Sequence, residues 1–187
     1  EGLSLSGAFR SRFENTHNSV RSGTPNDQVL TLRTRIDAKY AENGRVWQLE
    51  VMDARQQYAD ADGILGTGDV NALDIQQASV KLALGSEANT LKLGRFTAEY
   101  GSRRLVGRPI YRNTFNAFDG LEFTHTAPNG NQVSVLATQP VQRLPTDKAS
   151  VLDNDFEWDK SSNNRRFYGV FTTQPAPLAG KTGGYFD

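Results

Sequence analysis

The feature that most constrains the fold is a period-two alternation of apolar and polar residues, repeated in long segments along most of the chain. In the clearest segment, residues 29–41, apolar side chains alternate with Thr31, Arg33, Arg35, Asp37 and Lys39. Strict alternation is typical of a β-strand with one apolar and one polar face. Because helical periodicity is almost absent, the sequence predicts an all-β chain.

The alternation predicts eight strands and the start of a ninth. They cover residues 3–14, 29–41, 46–56, 72–85, 90–98, 115–126, 132–139 and 165–174, with the ninth beginning at Tyr185 and Phe186. Several exceed the usual globular strand of about five or six residues. Their lengths match the roughly 9–11 residues that a tilted strand needs to cross a bilayer.

The connections between the predicted strands are alternately long and short. The long ones are residues 17–28, 57–71, 99–114 and 140–164, and the short ones are 42–45, 86–89 and 127–131. Transmembrane β-barrels sort their connections in this way, with long extracellular loops and short periplasmic turns. A soluble sandwich has no physical reason to do so, and we therefore predict an antiparallel transmembrane β-barrel.

Composition excludes several other classes of protein. The 187 residues contain no cysteine, which rules out a disulfide framework and a thiolate metal site. The chain has 21 Lys and Arg and 21 Asp and Glu, so its formal net charge is zero. A protein that binds nucleic acid through an overall positive charge is therefore disfavoured. Hydrophobic residues make up only 37 % and the mean hydropathy is −0.56, as in a soluble protein. In a barrel the same values arise because only alternate residues face lipid.

If the apolar residues face lipid, the alternate positions face a water-filled lumen. These positions carry mostly basic side chains, namely Arg10, Arg12, Arg33, Arg35, Lys39, Lys81 and Lys92, together with Asp37 and Glu50. Arginine has a fixed fork of donors that suits carboxylates and phosphates. The plainer alternative is that these charges are solvated and neutralised by nearby acids.

Aromatic residues near the strand ends are candidates for the girdles that barrels place at the membrane interfaces. They are Phe13, Tyr40, Trp47, Phe115, Phe123 and Tyr168. In a soluble protein the same residues would be ordinary hydrophobic surface.

No catalytic constellation or cofactor motif is evident. The two histidines, His17 and His125, belong to no nucleophile-elbow, P-loop or paired-histidine pattern. Asp60, Asp62 and Asp69 lie in a glycine-rich loop that lacks the length and closing Glu of an EF-hand, so solvated loop acids are the favoured interpretation. We expect neither an enzyme nor a cofactor or metal.

Three linked motifs resemble the bacterial alginate-export family of outer-membrane porins. They are Leu91-Lys-Leu-Gly-Arg95, Gly101-x-Arg-Arg-Leu-Val-Gly107 and Asn113-Thr-Phe-Asn-Ala-Phe-Asp-Gly-Leu121. The stretches 30–36 and 49–55 are also similar, so the likeness spans roughly residues 28–125. The chain departs from the family pattern at Phe96, Tyr111 and Glu122, where Gln, Trp and a basic residue are usual. The last of these changes the charge expected in the lumen.

The resemblance implies a monomeric barrel of about 18 strands in the bacterial outer membrane, for passive diffusion or export of anionic solutes, including an acidic polysaccharide such as alginate. The implied partners are outer-membrane lipid and that solute, with periplasmic export proteins as further candidates. Because the chain supplies eight to nine strands, residues 1–187 are expected to be a single barrel domain forming an N-terminal portion of a longer barrel. A closed eight-stranded barrel is the alternative, although side chains would just fill its interior.

Eight residues are predicted to line or organise the pore. The expected pore or constriction residues are Arg33, Arg35, Arg95 and Arg104, with Lys39 beside them. Both the alternation of polar positions (their parity) and the resemblance indicate Arg33 and Arg35. The resemblance alone indicates Arg95 and Arg104. The expected orienting partners are Asp37, Glu50 and Asp53. Two rival functions remain open, a soluble all-β carbohydrate-binding module and an outer-membrane enzyme.

Overall fold

The computed structural model describes residues 1–18, 25–175 and 185–186. They contain nine β-strands and one short helix. The strands are β1 Gly2–Thr16, β2 Asp27–Glu42, β3 Arg45–Gln57, β4 Asn71–Leu84, β5 Ser86–Phe96, β6 Phe118–Thr126, β7 Gln132–Pro140, β8 Phe167–Pro175 and β9 Tyr185–Phe186, and the helix is α1 Lys148–Asp153. In this part of the chain no helix is both long enough and apolar enough to span a membrane.

The strands form one sheet in chain order, and every neighbouring pair is antiparallel. The predicted all-β antiparallel fold is therefore confirmed. Short connections at 43–44, 85 and 127–131 lie at one end of the sheet, and long loops at 58–70, 97–117 and 141–166 lie at the other. Within the described residues β1 pairs with β2 alone, so the sheet is open at β1.

Three details of the chain differ from the prediction. The short connection predicted at 86–89 belongs to β5, which begins at Ser86, so that Gly85 alone links it to β4. Strand β6 begins at Phe118 rather than at residue 115, because residues 113–115 belong to a loop that folds across the sheet. The helix α1 was not predicted. Asp147 caps its start by accepting a hydrogen bond from the Ser150 backbone N–H, and Asn154 ends it in the left-handed conformation.

The two faces of the sheet show the reverse of the burial pattern of a water-soluble protein. On one face, here called the apolar face, Ile36 is 54 % and Leu49 46 % exposed. On the other, here called the polar face, Arg33 is only 9 % and Glu50 1 % exposed. Soluble proteins expose single apolar side chains, but a contiguous apolar face across many strands marks a surface that meets lipid or a partner.

Toward the short turns Ser6, Lys39 and Lys81 of the polar face are exposed, whereas toward the loop end of the strands this face is buried, because the long loops pack on it. Three small apolar clusters hold the loops there. The first contains Phe96, Ala98, Val106, Phe118 and Leu136; the second Val29, Leu65, Val70 and Val151; and the third Met52, Ala54 and Phe115. Each joins strand residues of the polar face to residues of a loop or of α1. The loops are thus anchored across the sheet rather than extending away from it.

A candidate anion site on the polar face

The site is built around Phe115, which the loop 97–117 carries onto the polar face. Its ring is 2 % exposed. The guanidinium carbons of Arg108, Arg33 and Arg35 lie 4.3, 4.6 and 5.5 Å from the ring centroid. These distances are within the range of cation–π attraction. We call these three residues with Phe115 the arginine cluster. The expectation that Phe115 belongs to an aromatic girdle was wrong, because its loop turns the ring onto the polar face.

One buried carboxylate orients the arginine cluster. Glu50 on β3 accepts a hydrogen bond from Arg35 at 3.0 Å, and the same oxygen contacts Arg108. Gln77 on β4 donates to its other oxygen. One negative charge facing three positive ones leaves the cluster with excess positive charge. A buried region with fixed guanidinium forks suits a carboxylate or phosphate.

The segment 108–113, here called the strap, crosses β1 and β2 with its backbone carbonyls turned toward their arginines. Arg10 donates to the carbonyl oxygens of Ile110 at 2.9 Å and Arg112 at 2.8 Å. Arg12 donates to Tyr111 O at 2.7 Å, and Arg33 to Arg112 O at 2.9 Å. These guanidinium–carbonyl bonds fix the backbone of the strap against the polar face.

Both ends of the strap have further anchors. Asn113, fully buried, donates through its side-chain amide to the carbonyl oxygens of Leu32, Arg55 and Asp69. At the other end Arg108 contacts Glu50. The strap therefore keeps Arg108 beside Arg33 and Arg35, although these residues come from separate parts of the chain.

Next to the strap, the loop 97–117 encloses a cavity of about 310 Å³. Its lining includes Arg103, Arg104, Arg108, Arg112 and Tyr111. The structure thus places the predicted residue Arg104 in this loop cavity and not over Phe115. Arg108 lines this cavity and also belongs to the arginine cluster.

The structure places Asp37 and Lys39 on the polar face, closer to the short turns than the arginine cluster. Asp37 accepts a hydrogen bond from Gln48 at 2.6 Å and lies 3.6 Å from the Lys39 ammonium. Of the three acids expected to orient the arginines, Glu50 contacts Arg35, whereas Asp37 is engaged with Gln48 and Lys39.

The prediction that Asp53 orients the pore arginines was wrong. Asp53 pairs in register with Thr34 and so lies on the apolar face, opposite to Arg33 and Arg35. There it accepts a hydrogen bond from the side chain of Arg55 at 3.0 Å and another from the Leu73 backbone N–H. Alternate residues of a strand point to opposite faces, which separates Asp53 from the cluster.

Arg95 lies outside the arginine cluster, at the loop end of β5. In register it faces Asp119 on β6, and its guanidinium binds that carboxylate at 2.8 Å and approaches Asp74 at 3.6 Å. It also donates to the Asp159 carbonyl at 3.2 Å. This arrangement ties the loop 141–166 to the sheet, so the structure does not bring Arg95 together with Arg33 and Arg35.

The contacts of Arg95 bring it next to a carboxyl group, that of Asp159, whose pKa is raised. Burial, and then the neighbouring Asp74 carboxylate, raise the pKa of Asp159 from 3.8 to about 7, with Arg95 and Arg143 as the nearby cations. Asp159 accepts hydrogen bonds from the Leu144 backbone N–H and the Asn71 amide, both at 2.8 Å. It therefore anchors the loop 141–166.

We expect this anchorage to depend on pH. Because the folded pKa is raised, the contribution of Asp159 to stability is full below about pH 4 and is lost as pH rises through about 7. Hydrogen exchange at the Leu144 amide should accordingly show more protection at pH 5.5 than at pH 8, after correction for intrinsic exchange rates. The variant Asp159→Asn should abolish that difference. Equal protection of the wild-type amide at both pH values would contradict the assignment.

The remaining aromatic candidates lie on the apolar face. Tyr40 and Trp47 form a pair near the short turns, with ring centroids 5.6 Å apart. Phe13 is 60 % and Tyr168 64 % exposed. Phe123 shares this face, since it pairs with Leu91 and Val135. In the described part of the chain no group of three or more His, Cys, Asp or Glu side chains is arranged to hold a metal ion.

Sequence reasoning missed the importance of Arg108, Phe115 and Asn113. All three lie in the loop 97–117, where period-two parity carries no information. The one sequence feature that pointed to them is their position in or near the family-like motifs. Asn113 and Phe115 lie in the motif at 113–121, and Arg108 directly follows the motif at 101–107. Alternation places Arg10 and Arg12 on the polar face, but residue spacing does not reveal their contacts with the strap.

The chain was compared with known proteins and with protein families. No curated protein and no solved structure matches the chain. The sequence profile of a family described as "Alginate export" matches residues 2–185, which is nearly the whole chain. The match includes the motifs around residues 91–121 and both strands that supply Arg33, Arg35 and Glu50. The chain therefore belongs to the alginate export family.

Proposed function

We propose that this protein is a bacterial outer-membrane channel through which anionic solutes, among them an acidic polysaccharide, diffuse passively. The observation that carries the proposal is the arginine cluster on the polar face. Three guanidinium groups surround the Phe115 ring there, and two of them, those of Arg35 and Arg108, contact the buried Glu50 beneath a loop that crosses the sheet. Membership of the alginate export family supports a role in transport.

The location in a membrane is supported by the apolar face. Leu5, Phe9, Ile36, Leu49 and Val170 are all at least 46 % exposed on that side. Burying such a surface in lipid removes it from water, whereas an arginine facing the bilayer midplane would cost about 2–4 kcal/mol. The charged polar face would then line water and the apolar face would contact lipid.

In this arrangement the arginines select the solute by charge. Excess positive charge on a low-dielectric wall concentrates anions near it. Each guanidinium offers paired donors to a carboxylate. Conduction also requires that binding at any one position be weak enough for release. Several neighbouring arginines, in the arginine cluster and in the loop cavity, would let an anionic chain pass from one to the next.

The two rival functions have less support. A soluble carbohydrate-binding module would expose a broad apolar face to water, which soluble monomers rarely do. For an enzyme, His17 follows β1 at the loop end, whereas His125 lies at the short-turn end of β6, bound to Asn89 at 2.7 Å. The two imidazoles are therefore at opposite ends of the sheet and cannot act together.

The proposal is tested by solute flux into proteoliposomes that contain the full-length gene product. Galacturonate and galactose have almost the same size but differ in charge. We expect galacturonate to enter roughly tenfold faster at low salt, and this advantage should shrink in 1 M salt, where the Debye length is about 3 Å. Protein-free vesicles are the control. Equal rates for both sugars at low salt would contradict anion selection.

A further inference from the structure

We propose that Arg10 and Arg12 on β1 are positioning residues, which clamp the strap to the polar face and so hold Arg108 and Arg112 beside the solute path without binding solute themselves. The inference rests on the proposed function and deepens it. It divides the basic residues of the polar face into two groups, one that holds the loop and one that faces the solute.

The contacts of Arg10 already occupy its two terminal nitrogens. Nη1 donates to the carbonyl oxygens of Ile110 at 2.9 Å and Tyr111 at 3.4 Å. Nη2 donates to Arg112 O at 2.8 Å and to the Asn113 side-chain oxygen at 3.1 Å. A solute would have to break all four contacts to reach this guanidinium. The buried Nε atom offers no alternative point of approach.

Arg12 completes the clamp. Its Nη1 donates to Tyr111 O at 2.7 Å, and its Nη2 is paired with Glu14 at 2.8 Å. Its Nε atom is buried as well. Two neighbouring polar-face positions of β1 thus meet three consecutive carbonyl groups of the strap. Arg33 adds one bond to Arg112 O but also lies over Phe115, so it belongs to both groups.

The middle of the strap depends on these contacts. Ile110 is 67 % and Tyr111 66 % exposed, so apolar packing contributes little there. One turn hydrogen bond, from the Arg112 N–H to Pro109 O at 3.1 Å, stiffens the backbone locally. Hydrogen bonds to a charged donor are stronger than neutral ones. Without the guanidinium forks, the segment between Arg108 and Asn113 would be free to move.

A charge-conserving substitution separates clamping from direct attraction of the solute. The double variant Arg10→Lys/Arg12→Lys keeps both positive charges but loses the planar forks. Strap motion is followed with a nitroxide at Ile110→Cys, which is straightforward because the chain has no cysteine. We expect the label to become more mobile and the anion/cation permeability ratio to fall by roughly threefold or more.

The matched control is Arg55→Lys, since Arg55 lies on the apolar face and pairs with Asp53. It should change neither the label mobility nor the permeability ratio. If the double lysine variant does not insert, the single variant Arg12→Lys, which loses one strap bond, provides the same comparison.

Two results would overturn the inference. One is a lysine variant whose label mobility and permeability ratio equal those of the wild type. The other is a loss of selectivity in Arg10→Gln/Arg12→Gln with none in the lysine variant, which would show that the two residues act on the solute by charge. The label measurement requires no conductance. The two proposals can therefore fail separately. If the wild-type channel has no anion preference, the proposed function is refuted. If the strap is nevertheless immobile in the wild type and mobile in the lysine variant, the positioning role of Arg10 and Arg12 still holds.

Discussion

Replacing Arg33 and Arg35 together by glutamine should lower the anion/cation permeability ratio of the channel by roughly tenfold. Two unit charges about 10 Å from a passing ion, at an effective dielectric constant of about 20–80, contribute about 1–3 kcal/mol to its energy. Both guanidiniums lie within 5.5 Å of the Phe115 ring centroid, in one compact cluster. The ratio is measured from the reversal potential of single channels in a salt gradient.

A matched substitution shows whether the effect is specific to the polar face. Arg55→Gln removes one positive charge from the apolar face, where Arg55 is bound to Asp53, and should leave the ratio within about twofold of the wild type because an exposed ion pair contributes little. An unchanged ratio in the Arg33/Arg35 double variant would show that these arginines do not face the solute.

Placing an arginine at Ile36 should destabilise the folded protein in a bilayer by about 2–4 kcal/mol. Ile36 is 54 % exposed on the apolar face, between Arg35 and Asp37 of the polar face. If that face meets lipid, Ile36→Arg costs about 2–4 kcal/mol near the midplane, which is a large share of a typical folding free energy of about 5–15 kcal/mol. Folding into vesicles, followed by urea titration, measures the loss.

The control for this substitution is Ser6→Arg. Ser6 pairs in register with Asp37 and is exposed on the polar face at nearly the same depth in the sheet. An arginine there would face water and lie near a carboxylate, so it should be tolerated with a change of about 0–1 kcal/mol. Equal destabilisation by the two substitutions would argue that the apolar face does not contact lipid.

The strands and their faces were predictable because the backbone pleat alone decides which way a side chain points. The stretch predicted at 29–41 is β2 at Asp27–Glu42, and the one at 46–56 is β3 at Arg45–Gln57. The side chains assigned to the lumen, from Arg10 on β1 to Lys92 on β5, share one face in the observed register. Whether Arg33 and Arg35 line a pore stays a prediction, which the permeability measurement tests.

Two predicted site residues, Asp53 and Arg95, lie outside the arginine cluster, and both have the alternation of the apolar positions of their strands. Asp53 has the parity of Leu49 and Val51, so alternation alone places it on the apolar face. Arg95 has the parity of Leu91 and Leu93, and the structure finds it bound to Asp119 in the neighbouring strand. The family resemblance suggests a pore role for Arg95, which stays a prediction; the contact that the structure shows is with Asp159 O, in the loop 141–166.

The loops could not be placed from sequence because their contacts are long-range. Asn113 bonds to carbonyls of Leu32, Arg55 and Asp69, which are 81, 58 and 44 positions away in the chain. No local pattern encodes such contacts. The helix α1 did leave a signal, since Asp147 and Asn154 are good capping residues, but six residues are too few to show periodicity.

The central claim is that the polar face lines an anion-selective path across a membrane. Its most direct test is single-channel recording of the full-length gene product in a planar bilayer with a tenfold salt gradient. The predicted result is discrete conductance steps whose reversal potential lies toward the anion equilibrium potential, shifting toward zero as total salt increases. A protein that stays monodisperse in plain buffer and gives no conductance, or channels whose reversal potential lies toward the cation equilibrium potential, would contradict it.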